Sequence, residues 1–212
     1  MTLRRDAARN RDKLIEAARA SFAEQGLHVP LEVVAERACV GIGTLYRRFP
    51  TRDALIAAAF EHRVAEYARV AEAARDDPDP WAGFADFIAH ICEMQVADRG
   101  LGDVLTRTFP AATGLEEQRD RAHASVVRLI ERAKLAGNLR ADVTPEDVPL
   151  LLMANAGVVE ATGESATAAS RRLVGLMLAG FRAAADDIAP PVDPRAMYRA
   201  LRRAGRARGS KG

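Results

Sequence analysis

Apolar positions recur at helical spacing along most of the chain. Leu14, Ala18 and Phe22, with Ile15 beside them, predict a helix over residues 5–24, and Gly26 is placed to stop it. Leu31, Val34, Ala35 and Ala38 share one face of a short segment, Pro30–Ala38, where Pro30 suits a first helical position. Cys39-Val40-Gly41 is a turn-length break. Gly43–Phe49 is a second short helical segment, ended by Pro50 because proline disfavours helix in the residue before it. Thr51 is a good N-cap for a long helix reaching about Arg75, with Asp53 in its first turn. The acidic, proline-rich joint Asp76-Asp77-Pro78-Asp79-Pro80 stops that helix.

Five further helices are expected. Trp81–Ala97 carries Phe84, Phe87, Ile88, Ile91 and Met94 at core spacing; Leu101–Phe109 is short; Leu115–Ala136 is long and stops at Gly137-Asn138. Thr144-Pro145-Glu146-Asp147 reads as a cap, a first-turn proline and two first-turn acids, opening a helix to about Thr162. Ser165 caps the last, reaching Ala185. Pro190-Pro191 is a linker, and Asp193-Pro194 starts a small basic helix, Arg195–Ala204, before a polar tail, Gly205–Gly212.

Composition agrees with an all-α protein. Of 212 residues 43 are alanine, aromatics make up 5%, and β-branched residues are few apart from scattered valine, which argues against a sandwich or barrel. The longest uncharged stretch, Val148–Val159, is too short to span a bilayer, so no membrane partner is expected. The basic N-terminus lacks an apolar signal core, and a cytoplasmic location is expected. Two cysteines, Cys39 and Cys92, make no disulfide framework. Charge is uneven: residues 1–62 carry net +2, residues 63–194 net −7 and residues 195–212 net +7. That asymmetry fits either a polyanion met at one end or an ordinary solvated surface with a basic tail.

Pro30–Phe49 taken as a unit is two short helices joined by a three-residue turn, the spacing of a helix-turn-helix. In such a motif the second helix enters the major groove. Its outward residues are Ile42, Thr44, Arg47 and Arg48, while Leu45 and Phe49, four apart, face inward. The run Val40-Gly41-Ile42-Gly43-Thr44-Leu45-Tyr46-Arg47-Arg48-Phe49, followed by Thr51-Arg52-Asp53-Ala54-Leu55 and preceded by Val34-Ala35-Glu36-Arg37-Ala38, resembles the TetR family of bacterial transcriptional regulators. The resemblance is specific over roughly residues 10–60; beyond them only length and helix count agree.

The resemblance implies DNA contacts from Gly43, Thr44, Tyr46 and Arg48, with Thr44 and Tyr46 holding phosphates, which position the helix without reading sequence. Arg48 stands where the family often has His, and Arg52 where Lys is usual; both are expected at phosphates. Pro30 replaces the usual Thr or Ser, Cys39 the usual Gly, and Gly41 stands where Ser is common. For base reading, Ile42 suits a thymine methyl, and Arg47 suits guanine O6 and N7 or one more phosphate. Arg4, Arg5, Arg9 and Arg11 form a basic N-terminal stretch, either an arm toward DNA or a solvated one.

The resemblance also implies that the rest of the chain binds a ligand and dimerises. The expected division is a helix-turn-helix domain at 1–50, a helical effector-binding and dimerisation domain at 51–189 with Thr51–Arg75 as linking helix, and a basic tail at 190–212. Ala154, Ala156, Gly157 and Ala161, with Gly175, Ala179 and Gly180, either form a four-helix dimer interface or fill the monomer core. A pocket needs apolar walls, and Phe84, Phe87, Ile88, Ile91, Met94, Leu105, Phe109, Val126, Val127, Ile130 and Met153 are candidates. Polar candidates are His90, Cys92, Arg107, His123 and Asn155.

The expected function is a ligand-responsive repressor that binds double-stranded DNA as a homodimer and is released by an unidentified small-molecule effector. No cofactor, metal or catalytic residue is expected: the four histidines form no Glu-x-x-His pair, and no HExxH, GxSxG or GxxxxGK[ST] occurs. The alternatives are a redox-responsive regulator acting through Cys39 and a helical-bundle enzyme.

Overall fold

The computed structural model describes residues 2–107, 109, 112–182 and 189–207, and the side chains of residues 9–107, 109, 112, 114–182 and 189–202. Among them every regular element is helical, with one isolated antiparallel bridge between Leu139 and Arg182. The α-helices are α1 (Thr2–Gln25), α2 (Leu31–Arg37), α3 (Ile42–Arg48), α4 (Arg52–Asp76), α5 (Pro80–Ala97), α6 (Arg99–Leu105), α7 (Thr113–Leu135), α8 (Asp147–Thr162), α9 (Ala166–Phe181) and α10 (Pro194–Ala207). None is long and apolar enough to cross a membrane.

α1 buries Leu14, Ala17, Ala18, Ser21 and Phe22, a stripe at three- and four-residue spacing. It stops at Gly26, whose φ of 78° is open to glycine at no steric cost. α4 is about 37 Å long at 1.5 Å per residue. Its buried stripe, Leu55, Ile56, Ala59, Phe60, Val64, Ala68 and Ala71, packs against α1 at one end and α5 and α7 along the rest. The rings of Phe22 and Phe60 stack 6.1 Å apart. Each is fully buried, which stabilises the fold by roughly 1.5–3 kcal/mol per side chain. α6 presses on this pair at Gly100, where a Cβ would lie 2.6 Å from the Phe60 ring and 2.9 Å from the Phe22 carbonyl oxygen. Only glycine permits that approach, so α6 and α1 are in direct backbone contact.

Acidic caps set the starts of the middle helices. Asp79 accepts from Trp81 N and Ala82 N at 2.9 and 3.1 Å, and Asp98 accepts from Leu101 N at 3.0 Å. Several boundaries differ from the sequence expectation. α6 ends at Leu105 rather than Phe109. α8 starts at Asp147, because Asp147 Oδ2 accepts from Thr144 N at 2.7 Å and holds Pro145-Glu146 in a turn before the helix. α9 ends at Phe181, where Arg182 N donates to Leu178 O and the chain turns extended; the expected end, Ala185, lies outside the described residues. α10 runs through Ala207, past the start of the expected tail at Gly205, and is no loose appendage: Asp193 Oδ1 caps Ala196 N at 2.9 Å and Met197 is buried. Residues 208–212 lie outside the described ones.

Candidate nucleic-acid interface

The turn from α2 to α3 is closed by the backbone. Val40 N donates to Ala35 O at 3.0 Å and Cys39 N to Glu36 O at 2.9 Å, the paired bonds of a Schellman motif. Its left-handed residue is Cys39, at φ 55°. α3 is anchored from below by Leu45, which is fully buried, and by Phe49 just past its end. Arg11 lies over the Phe49 ring at 5.9 Å.

Anchoring Leu45 turns the opposite face of α3 to solvent. Gly43, Tyr46, Arg47 and Arg48 are exposed, and Ile42 and Thr44 half-buried. Arg47 Nη2 donates to Thr44 Oγ1 at 3.0 Å, which leaves the Thr44 hydroxyl proton free to donate outward. A hydroxyl, a phenol and two guanidiniums therefore share one short exposed surface, an arrangement that suits an anionic backbone. Arg9 and Arg11 belong to α1 itself rather than to a separate arm; the side chains of Arg4 and Arg5 lie outside the described residues.

Arg52 has a role the sequence reading missed. Its Nη1 donates to Leu27 O at 2.9 Å and Val29 O at 2.8 Å, so it braces the turn between α1 and α2 from the start of α4. The same turn is held from the other half of the chain. Leu27 N donates to Asp103 Oδ2 at 3.1 Å, and Arg107 Nη2 meets both Asp103 Oδ1, at 2.9 Å, and His28 Nε2, at 3.0 Å. Arg107 is nearly buried, so this cluster sits in a low-dielectric junction between α6 and the turn. Its one sequence signal was the four-residue spacing of Asp103 and Arg107.

Comparison with known proteins bears on this geometry. Residues 14–59 match the family model for bacterial regulatory proteins of the tetR family, and residues 79–183 match the model for the C-terminal domain of SbtR-like transcriptional regulators. A TetR transcriptional regulator from Streptomyces coelicolor is 30% identical and superposes with a TM-score of 0.53, covering 82% of this chain and 99% of that one. The chain belongs to the TetR family. A TetR-family regulator from Pectobacterium atrosepticum shares the fold at 24% identity and a TM-score of 0.56, covering 86% and 99% of the two chains. The regulator FadR from Bacillus subtilis, solved with stearoyl-CoA, shares it at 16% and 0.58, covering 80% and 98%. No curated protein matches. As a TetR-family member the protein is a DNA-binding transcriptional regulator, and its family places it among transcription factors rather than enzymes.

The pocket expected of a TetR ligand domain is not where the apolar stripe of α5 suggested. Phe84, Phe87, Ile88 and Ile91 are fully buried, and Met94, Phe109 and Ile130 nearly so. They pack on one another and on α4 and α9; Tyr67 and Phe87 rings lie 5.9 Å apart, and Phe84 meets Phe181 edge-on at 5.7 Å. Neither they nor the half-buried Val127 line the cavity at the α6–α8 junction or the one between α4, α7, α8 and α10. Asn155 is likewise structural. Ser170 Oγ donates to Asn155 Oδ1, Asn155 Nδ2 to Gln95 Oε1, and Gln95 Nε2 to Leu152 O, a buried chain tying α5, α8 and α9.

Two cavities among the described residues, of about 340 Å³ each, adjoin these elements. One lies at the junction of the α1–α2 turn, α6 and α8, and takes in Met153 with His28, Asp103 and Arg107. The other is walled by α4, α7, α8 and α10, and takes in Leu105 and Val126 with His123. Sequence periodicity could not separate a residue that lines a void from one that fills it.

The small residues of α8 and α9 do not fill the core. Ala154, Gly157 and Ala161 on α8, and Gly175, Ala179 and Gly180 on α9, are exposed, while Ala156 is half-buried. A Cβ built on Gly157, Gly175 or Gly180 meets nothing within 4 Å. Leu150 and Leu176 are 45% and 54% exposed on the same two helices. Cys39 is exposed and Cys92 buried; burial pushes the Cys92 thiol up to about 12, which removes it as a thiolate partner. Among the described residues no group of three or more His, Cys, Asp or Glu is placed to hold a metal ion.

Proposed function

We propose that this regulator is a repressor that binds its operator as a homodimer and is released by a small-molecule effector. The observation that carries the reading is the exposed face of α3. Tyr46, Arg47 and Arg48 point to solvent from a helix fixed by buried Leu45, and the turn beside it is bonded to α6 of the second half. Thr44, Tyr46 and Arg48 contact phosphates. Ile42 and the N-terminal backbone at Gly43 approach the base edges, and Arg47 pairs with guanine or a further phosphate. Arg52 acts chiefly through the turn it braces.

Pairing occurs through the exposed small-residue faces of α8 and α9, which let helices approach closely. It sets the two copies of α3 about 34 Å, or a multiple, apart. The functional division is 1–50 for DNA, 51–189 for effector and dimer, and 190–212 as a basic extension; the site of action is the cytoplasm. The effector occupies the cavity between α4, α7, α8 and α10. There it touches Tyr67 on the linking helix and Leu105, which lies two residues from both Asp103 and Arg107. An effector that prefers another spacing of the recognition helices shifts the population away from the DNA-competent state. A differential affinity of about 1–3 kcal/mol is enough.

The test is fluorescence anisotropy with duplexes selected from a random library and from the DNA flanking the protein's own gene. Enrichment of a two-fold symmetric site, bound with a steep salt dependence, is the expected result. Failure to enrich any sequence sinks the reading. Repeating the titration with and without reductant decides the alternative through Cys39; equal affinities dismiss it.

A further inference from the structure

We propose that the cavity between α4, α7, α8 and α10 takes a lipophilic organic cation. The inference rests on that cavity being the effector site. Its apolar walls are Leu105, Val126, Val148, Leu152 and Met197. Three carboxylates also line it, Glu116, Asp120 and Glu146, against one guanidinium, Arg119, and the imidazole of His123.

That guanidinium is already engaged. Arg119 donates to the backbone carbonyls of Val104 and Leu105 at the end of α6, and lies 3.8 Å from Glu116. Glu116 also accepts from Phe109 N. Asp120 and Glu146 make no side-chain hydrogen bond or ion pair with any described residue. They come from two walls, α7 and the turn before α8, so a bound cation is flanked rather than met from one side.

Two aromatic groups complete the surroundings. The Tyr67 phenol of α4 has no hydrogen-bond partner among the described residues. Burial, partly offset by Arg119, raises its pKa, so it stays neutral and leaves its ring and oxygen to a positive guest. Tyr198 of α10 lines the same cavity and already draws a cation, with Arg202 5.9 Å from its ring centroid. α10 also exposes Arg195 and Arg199, so a positively charged helix rests against this net-negative wall. An anionic ligand entering here gives up hydration and meets unpaired carboxylates, whereas a cation gains both them and the aromatic faces. The volume suits one compact molecule.

The experiment is calorimetry on the full chain with two probes of similar size and opposite charge, benzyltrimethylammonium and phenylmethanesulfonate. The cation is expected to bind at least ten-fold more tightly. The double variant D120N/E146Q is expected to lose at least ten-fold in cation affinity with its melting temperature unchanged, while its anion affinity holds or rises. Equal affinities, or a preference for the anion, overturn the assignment of ligand class. Binding of neither probe overturns both that assignment and the cavity as a ligand site. Cation binding that leaves operator affinity unchanged upholds the ligand class and removes only the effector role.

Discussion

Asp103 and Leu27 are 76 residues apart in the chain and one hydrogen bond apart in space. The bond joins a side chain of α6 to the backbone of the turn that leads into the helix-turn-helix. Because Asp103 also holds Arg107, which is only 6% exposed, removing the carboxylate leaves a buried guanidinium short of its counter-charge. D103A is expected to lower stability by about 3 kcal/mol, measured by urea denaturation. The apolar pair D103L/R107M is expected to regain part of that loss, because the ion pair is removed as a unit while Leu27 N still loses its acceptor, and operator release by effector weakens. A double variant as unstable as D103A contradicts this account.

The exposed face of α3 separates binding from folding. R48A is expected to leave the melting temperature within a degree or two, reduce operator affinity about ten-fold, and lower the salt slope by about one. L45A, at a fully buried position, is expected to cost about 2–5 kcal/mol of stability. An R48A variant with unchanged affinity and slope removes Arg48 from the DNA contacts.

Leu150 and Leu176 stand exposed among the small residues of α8 and α9. In the proposed dimer a carboxylate there faces the apolar surface of a second copy. L176E is therefore expected to shift sedimentation from dimer to monomer at micromolar concentration, with the monomer's helical circular dichroism unchanged. Dimers that persist in L176E place the interface elsewhere.

Cys39 occupies the left-handed position of the α2–α3 turn, where a Cβ is unfavourable. C39G is expected to raise stability by about 0.5–1 kcal/mol, the relief of the left-handed strain exceeding the entropy added to the unfolded chain. Thermal denaturation reads the shift. A lower melting temperature in C39G shows that the cysteine side chain contributes packing that outweighs its backbone strain.

The all-α class, the long connecting helix and the face of α3 were legible in the sequence, because each is local. Helical spacing, a cap such as Thr51 and a stop such as Gly26 act within one or two turns, and the inward pair Leu45 and Phe49 dictates which residues of α3 look outward. The Schellman turn was legible only as a break, since Cys39 stands at a position that favours glycine. What needed the folded chain is non-local. Arg52 braces carbonyls more than 20 residues away, and Asp103 reaches Leu27 only because Gly100 lets α6 touch α1. The stripe of α5 became solid core while a void opened beneath α10, a helix expected only as part of a basic extension. Periodicity tells which face of a helix turns inward. Whether that face meets side chains or empty space depends on how several helices pack at once, and that is a property of the tertiary structure alone.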